Sequence, residues 1–195
     1  MDLSTNFDVD YFIAGRALDQ LSGDAALVDV TQEQMFVGVI DGAGHGSRAH
    51  TVSQTARTFL EENKNKNLPV LMQALHEELR GTRGGVAIIG KLDVTQLQLT
   101  YVGAGNITLR KFGIVSTREV TQGGIIGYQL RTPIEKILQL EHGDVIVMHS
   151  DGLRGQFDIN DYPQILKHDA RAIARNLIEK FAKNEDDSIC LVMRV

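Results

Sequence analysis

The chain has 195 residues, of which 43% are hydrophobic and 23% charged, a balance that excludes a disordered protein and predicts one domain over residues 1–195. The 25 acidic residues outnumber the 20 basic ones, and the net charge of −5 argues against nucleic acid as a partner. No apolar run reaches the roughly 18 residues needed to span a bilayer, and the single cysteine, Cys190, excludes an internal disulfide and favours the cytoplasm.

The first half of the chain predicts strands followed by helices. Apolar runs predict three strands, at residues 9–18, 25–31 and 35–41. From Ser47 the apolar residues recur at helical spacing, and a second helix begins near Pro69 and ends at Gly81. The short polar connection between the two helices predicts an αα-hairpin.

The second half predicts mostly strands. The expected strands are 85–92, 97–101, 107–112, 114–117, 135–140, 144–149 and 188–194. All of them except the last are predicted to form one antiparallel meander. One helix, from about Asp169, precedes the last strand. Strands that follow one another in runs favour antiparallel sheets with helices packed outside, so the predicted fold class is α+β.

Acidic residues gather toward the two ends of the chain. Residues 1–45 contain eight acids (Asp2, Asp8, Asp10, Asp19, Asp24, Asp29, Glu33 and Asp41) and one base, and residues 151–195 contain eight more acids. If the fold brings the two ends together, a bound cation would relieve the repulsion between them. The alternative is that these acids are scattered over a solvated surface.

The segment around Asp41 is the most informative of the acidic ones. A buried-looking strand runs into Asp41, and alternating glycines follow in the sequence DGAGHG of residues 41–46. Such glycines allow main-chain groups to approach an ion or a phosphate closely. A plain strand-to-helix turn is the alternative, and the absence of a following GK[ST] excludes a Walker loop.

Three further acidic turns lie at predicted strand ends. The strand that begins near Val145 ends at Asp151-Gly152, Asp24 stands at the head of another strand, and Asp186-Asp187 precedes the last strand. Hard divalent cations prefer carboxylate, carbonyl and water oxygens, and two such ions need several acids around them. For Asp24 and Asp187 the alternative is ordinary turn or capping chemistry.

In this order, GD, DGAGHG, SDG and DD resemble the motifs of the metal-dependent protein phosphatases (PPM family), in the SpoIIE-like branch that includes small stressosome members. The resemblance covers nearly the whole chain. It implies an αββα four-layer sandwich, in which two stacked antiparallel sheets are flanked by helices and a two-metal site lies at one edge. The segments 103–106, 124–127 and 141–144 are interpreted as turns without a ligand role.

The resemblance also implies a ligand set for two Mn²⁺ or Mg²⁺ ions. Asp41 would bridge both ions, Gly42 would offer its carbonyl oxygen, and Asp24 would serve one ion directly or through water. Asp151 and Asp186 would hold the other ion. Asp186 is preferred to Asp187 because it takes the first place of the pair, although the alignment could slip by one residue.

Two such ions activate a water for in-line attack on phosphoserine or phosphothreonine. His45 is the candidate to protonate the leaving alkoxide, but Ala43 and Gly44 separate it from the Asp-Gly pair, so that capping or orienting the loop is an open alternative. His149, two residues before Asp151, is expected to be a packed strand histidine rather than a ligand.

By the same resemblance, the substrate would be a phosphorylated STAS-domain regulatory protein of a stressosome, and the chain would act in signal transduction and stress response. Neither nucleic acid nor a membrane is expected as a partner. Two other classes of function stay open at this point. One is a catalytically silent module that keeps the fold and binds a partner. The other is a structural domain stabilised by a metal ion.

Overall fold

The computed structural model describes residues 9–31, 34–155, 157 and 162–195, so that Asp2, Asp8 and Glu33 of the acidic N-terminal stretch lie outside the described residues. The strands are β1 (Asp10–Arg16), β2 (Asp24–Val30), β3 (Gln34–Gly42), β4 (Gly85–Asp93), β5 (Gln98–Ala104), β6 (Thr108–Phe112), β7 (Thr117–Val120), β8 (Lys136–Gln139), β9 (Val145–His149) and β10 (Ser188–Arg194). The helices are α1 (Gly46–Asn63), α2 (Leu68–Glu78) and α3 (Ala170–Phe181), with a 3-10 helix at Pro163–Lys167. None of the described helices is both long and apolar enough to cross a bilayer.

The strands form two five-stranded sheets, ordered β1-β10-β9-β6-β7 and β2-β3-β4-β5-β8. Every pairing between neighbouring strands of these sheets is antiparallel. Both sheets mix strands from the two halves of the chain, because β1 pairs with β10 and β5 pairs with β8. The chain crosses between the sheets after β1, β5, β7 and β8. Asp41, from the N-terminal acidic stretch, and Asp151 and Asp186, from the C-terminal one, thereby lie at one edge of the molecule.

The two sheets are stacked face to face, with helices on the outer faces. Val39 and Ile88 belong to the apolar layer between the sheets, whereas Ile40 and Ile89, the next residues along the same strands, pack beneath α1 and α2. A third apolar cluster joins α3 to the outer face of the other sheet. Because successive strand residues point to opposite faces, continuous apolar runs are what a strand covered on both faces requires. The predicted α+β class and the αββα four-layer sandwich are confirmed.

Three details of the predicted elements are wrong. The expected strand at 114–117 lies instead at β7, because the chain turns at residues 113–116, where the side chain of Ile114 is 90% exposed. The expected meander is split, since β4 and β5 belong to one sheet and β6 and β7 to the other. Helix α1 begins at Gly46, one residue before the start that its apolar spacing predicts.

The turn after β9 is held close to the start of β10 by a glycine. A Cβ atom at Gly152 would lie 1.7 Å from the carbonyl oxygen of Asp187, so no other residue fits this approach without a backbone shift. The carbonyl of Gly152 accepts the hydroxyl of Ser188 at 2.9 Å and the N–H of Lys183 at 2.8 Å. This contact fixes the distance between the turn that carries Asp151 and the turn that carries Asp186 and Asp187.

We expect Gly152→Ala to lower the free energy of unfolding by about 3 kcal/mol, because the added methyl group forces the turn away from β10. Gly123→Ala is the matched control, since a Cβ atom there meets no heavy atom within 4 Å and the backbone does not adopt a positive φ. Urea titration of the metal-free protein measures both changes. Equal stability of the two variants would contradict the close approach.

Candidate metal centre

An acidic cavity of about 630 Å³ lies at the edge where both sheets end. Four of its lining residues are carboxylates: Asp41, Asp151, Glu185 and Asp186. The remaining wall consists of Ala43, Gly44, His45, Gly85, Val86, Gly105, Asn106, Gly123, Gly124 and Ile125. Residues far apart in sequence therefore face one common space.

Asp24 joins the two sheets beside this cavity. It stands directly across from Asp41 in the β2–β3 register and is buried, 6% exposed. Its Oδ2 accepts the hydroxyl of Ser150 at 2.6 Å, and the Ser150 Oγ in turn accepts the N–H of Ile189 at 3.1 Å. Ser150 follows β9 in the other sheet, so this chain of bonds fixes Asp24 relative to the turn that carries Asp151.

Asp186 and Asp187 have different environments. Both carboxylate oxygens of Asp187 are engaged with backbone amides at 2.7 Å, one with the N–H of Leu18 and the other with that of Gly23. Asp187 is buried, whereas Asp186 lines the cavity and accepts a bond only from the N–H of Asp187, at 2.9 Å, among the hydrogen bonds of the described residues. Asp187 thus anchors the loop ahead of β2, and Asp186 has oxygen lone pairs directed at solvent in the cavity.

Asn106 is a site residue that sequence reasoning missed. Its Nδ2 donates to Oδ2 of Asp151 at 2.7 Å, which orients that carboxylate within the cavity. Asn106 belongs to the segment 103–106 that was interpreted as a plain turn. The only sequence signal is an Asn after a glycine-rich strand end, which is common in turns, so the contact could not be inferred without the fold.

Buried negative charge dominates the electrostatics of the site. Burial, followed by the charges of Asp24 and Asp151, raises the pKa of the Asp41 carboxyl to about 8. Burial also raises the pKa of Asp24 to about 7, against the bond from Ser150, which lowers it. Burial and the charge of Asp151 raise the pKa of Asp186. A divalent cation would stabilise the charged form of all three groups.

The donor set fits hard divalent cations such as Mg²⁺ and Mn²⁺, since it consists of carboxylate oxygens and main-chain groups. Within the described ranges, however, no three acidic, histidine or cysteine side chains already converge as one ligand set. The carboxylates surround the cavity instead. Asp24 is outside the cavity lining, so its approach to an ion requires a shared water or a small movement.

The glycine loop brings α1 against the end of β3. Gly42 is paired with Gly85 and is buried, and a Cβ atom at Gly42 would lie 2.4 Å from the carbonyl oxygen of Ala49 in α1. A side chain at Gly42 would therefore push the helix away from Asp41. The main chain of Gly42 stays next to the cavity residues Asp41 and Ala43.

His45 lines the cavity and stands at the N-cap position of α1, but its side chain makes no capping hydrogen bond. The imidazole is 69% exposed, and its Nδ1 lies 3.5 Å from Oδ2 of Asp19. Its position in the cavity lining is compatible with the proton-donor role, whereas the imidazole forms no hydrogen bond that caps the helix. His149, by contrast, is buried in β9, and burial lowers its pKa to about 4, so it is a packed strand histidine as expected.

Known proteins resemble this chain in sequence and in structure. The sequence model of the family Stage II sporulation protein E (SpoIIE) matches residues 31–195. Phosphoserine phosphatase RsbX of Bacillus subtilis (strain 168) is 23% identical over 135 residues, which make up 68% of this chain and 68% of that protein.

Two solved structures share the fold over almost the whole chain. One, reported under "The bacterial stressosome: a modular system that has been adapted to control secondary messenger signaling", is 28% identical, with a TM-score of 0.87 over 95% of this chain and 99% of that chain. The other, RsbX in complex with magnesium, is 18% identical, with a TM-score of 0.81 over 95% of this chain and 94% of that chain.

Because Asp186 and Asp187 have different environments, the same substitution should affect metal binding at one position and stability at the other. Asp186→Asn should weaken Mn²⁺ binding about tenfold and leave the stability of the metal-free protein almost unchanged, because it removes a cavity charge. Asp187→Asn should lower the free energy of unfolding by about 2 kcal/mol, because it disrupts two charge-assisted bonds to the backbone. Calorimetric Mn²⁺ titration and urea unfolding measure the two quantities. The reverse pattern would assign the ligand role to Asp187.

Proposed function

The chain belongs to the SpoIIE family, and we propose that it is a Mn²⁺- or Mg²⁺-dependent phosphatase that hydrolyses phosphoserine and phosphothreonine on a regulatory protein. The observation that carries the proposal is the meeting of Asp41, Asp151 and Asp186 around one cavity at the common edge of both sheets. The family and the likeness to RsbX make the chain a phosphatase of the PP2C type, so the resemblance read from its four acidic turns is confirmed.

The residues that would hold the ions are Asp41, which would serve both, the carbonyl of Gly42, Asp24 directly or through water, and Asp151 and Asp186. When bound, the ions would supply an activated water for attack on phosphorus and positive charge for the phosphate oxygens. Asn106 holds the carboxylate of Asp151 in place, and Ser150 does the same for Asp24. These bonds are formed within the protein and so keep the ligand oxygens oriented before an ion arrives.

His45 is proposed to protonate the leaving serine or threonine oxygen. Its imidazole lines the cavity and is open to solvent, so it can reach a bound phosphoprotein and exchange protons with water. The carboxylate of Asp19, 3.5 Å from Nδ1, is placed to orient the ring. No covalent phosphoenzyme is required, since the proposed nucleophile is water.

The proposed substrate is a phosphorylated STAS-domain regulatory protein of a stressosome, acted on in the cytoplasm. Support comes from the relative named RsbX and from the structure reported in the study of the bacterial stressosome, which matches this chain at 28% identity. The lining of the cavity includes the solvent-exposed residues Gly44 and His45, so the cavity opens to solvent. A site that acts on a folded protein must be open in this way.

Hydrolysis of p-nitrophenyl phosphate in the presence of Mn²⁺ tests the reaction. We expect turnover that a chelator abolishes and that Asp41→Asn lowers by about 100-fold, because the substitution removes the carboxylate shared by both ions. Glu61→Gln is the matched control, since this exposed carboxylate of α1 pairs with Arg57 away from the cavity lining, and we expect it to retain full activity.

Two results would contradict the proposal. Binding of a phosphorylated STAS protein without turnover would favour a catalytically silent binding module. Stabilisation by Mn²⁺ with no hydrolysis of p-nitrophenyl phosphate or of any phosphoprotein tested would favour a structural metal domain.

The role of His45 is separable from ion binding by the choice of leaving group. Nitrophenolate is a weak base and leaves without a proton, whereas the alkoxide of serine needs one. His45→Gln should therefore slow the hydrolysis of a phosphoserine peptide by about 100-fold and leave that of p-nitrophenyl phosphate within a fewfold of wild type. Equal losses with both substrates would show that His45 serves the loop rather than the leaving group.

A further inference from the structure

The cationic side chain of Arg83 lies against Gly44 at the border of the acidic cavity, although Arg83 is not itself among the residues that line it. Its Nη1 is 2.9 Å from the position that a Cβ atom would take on Gly44, and Gly44 is one of the cavity-lining residues. Gly44 has a φ of +92°, so a glycine is suited to this position, and the guanidinium occupies the space that a side chain there would need.

The backbone on both sides of Arg83 is fixed to the site. The carbonyl of Gly84 accepts the N–H of Ala43 at 2.9 Å, which ties this segment to the glycine loop. The N–H of Gly84 donates to the hydroxyl of Thr82 at 2.9 Å, and that hydroxyl donates to the carbonyl of Leu79 at 2.7 Å, at the end of α2. The base of the Arg83 side chain is therefore held in place relative to Asp41.

The guanidinium itself is exposed and, across the residues that the structure describes, forms no hydrogen bond or ion pair. Two other arginines, by contrast, are engaged. Arg80 pairs with Glu77 at 2.9 Å, and Arg16 donates to the carbonyl of Lys183. Arg83 thus combines a fixed base with five donor N–H groups that the protein leaves available.

A phosphate monoester that enters this cavity is negatively charged and is repelled by the four carboxylates of the lining. Bound metal ions would compensate the carboxylates, and a cationic donor at the border of the cavity would add hydrogen bonds to phosphate oxygens that the ions leave open. A planar guanidinium can donate two parallel hydrogen bonds to phosphate oxygens, which an ammonium group cannot do.

We propose that Arg83 is a substrate-binding residue whose guanidinium holds the phosphoryl oxygens of the phosphoserine or phosphothreonine monoester at the rim formed with Gly44. This inference rests on the proposed phosphatase function of the same cavity. It adds a residue that the four acidic turns do not include and that lies between α2 and β4, outside every motif read from the sequence.

The test compares Arg83→Ala and Arg83→Lys with Arg80→Ala, which removes the same charge from a paired arginine three residues away. The KM and kcat for p-nitrophenyl phosphate and the inhibition constant of inorganic phosphate are measured with Mn²⁺, and phosphate binding to the Mn²⁺-loaded protein is measured by calorimetry. Arg83→Ala should raise KM and the dissociation constant of phosphate about tenfold, with a smaller change in kcat. Arg83→Lys should recover part of the loss, and Arg80→Ala should stay within twofold of wild type.

Three outcomes overturn the inference: unchanged phosphate affinity in Arg83→Ala, an equal loss in Arg80→Ala, or a loss of Mn²⁺ affinity that accounts for the whole effect.

The inference and the proposed function fail separately. If phosphate binds in an Arg83-dependent manner but no substrate is hydrolysed, the inference stands and the phosphatase proposal falls. If turnover occurs and Arg83→Ala changes none of the constants, the phosphatase proposal stands and the inference falls. If wild type neither binds phosphate nor hydrolyses substrate, both fall.

Discussion

The hydrogen bond from the Ser150 hydroxyl to Asp24 is the contact on which the arrangement of the site depends. It joins the first strand of one sheet to the turn after β9 of the other, and it is formed between buried groups 126 residues apart. A buried carboxylate without a donor costs several kcal/mol, so the two sheets are favoured in the one relative position that satisfies Asp24. That position also places the turn bearing Asp151 beside Asp41, and the acidic cavity follows from it.

The same arrangement makes the metal-free protein carry an electrostatic cost. The pKa of Asp41 and that of Asp24 are raised because burial and neighbouring carboxylates disfavour their charged forms. The surrounding fold offsets this cost with two close-packed apolar layers, one between the sheets and one beneath α1 and α2. Asp187 also contributes, because its bonds from the N–H groups of Leu18 and Gly23 hold the loop ahead of β2. Stability is supplied by the layers, while the edge where the strands end holds the charges that chemistry requires.

The cavity has two chemically different sides. Its floor consists of carboxylates suited to cations, and its rim includes His45 and the neighbourhood of Arg83, which are suited to a proton donor and an anion. The rim is built from short segments between regular elements, namely the glycine loop ahead of α1 and the turn between α2 and β4.

Sequence alone determined the class of fold, most strand and helix positions, and the four acidic turns, because apolar periodicity and glycine-flanked aspartates are local signals. It could not determine that the meander divides between two sheets, since strand pairing is a long-range property. Nor could it separate Asp186 from Asp187, or detect Asn106 and Arg83, because a residue type in a turn does not reveal what lies opposite it in space. Only the stacking of the sheets decided which oxygens and nitrogens face one cavity, since that stacking brings together side chains more than a hundred residues apart.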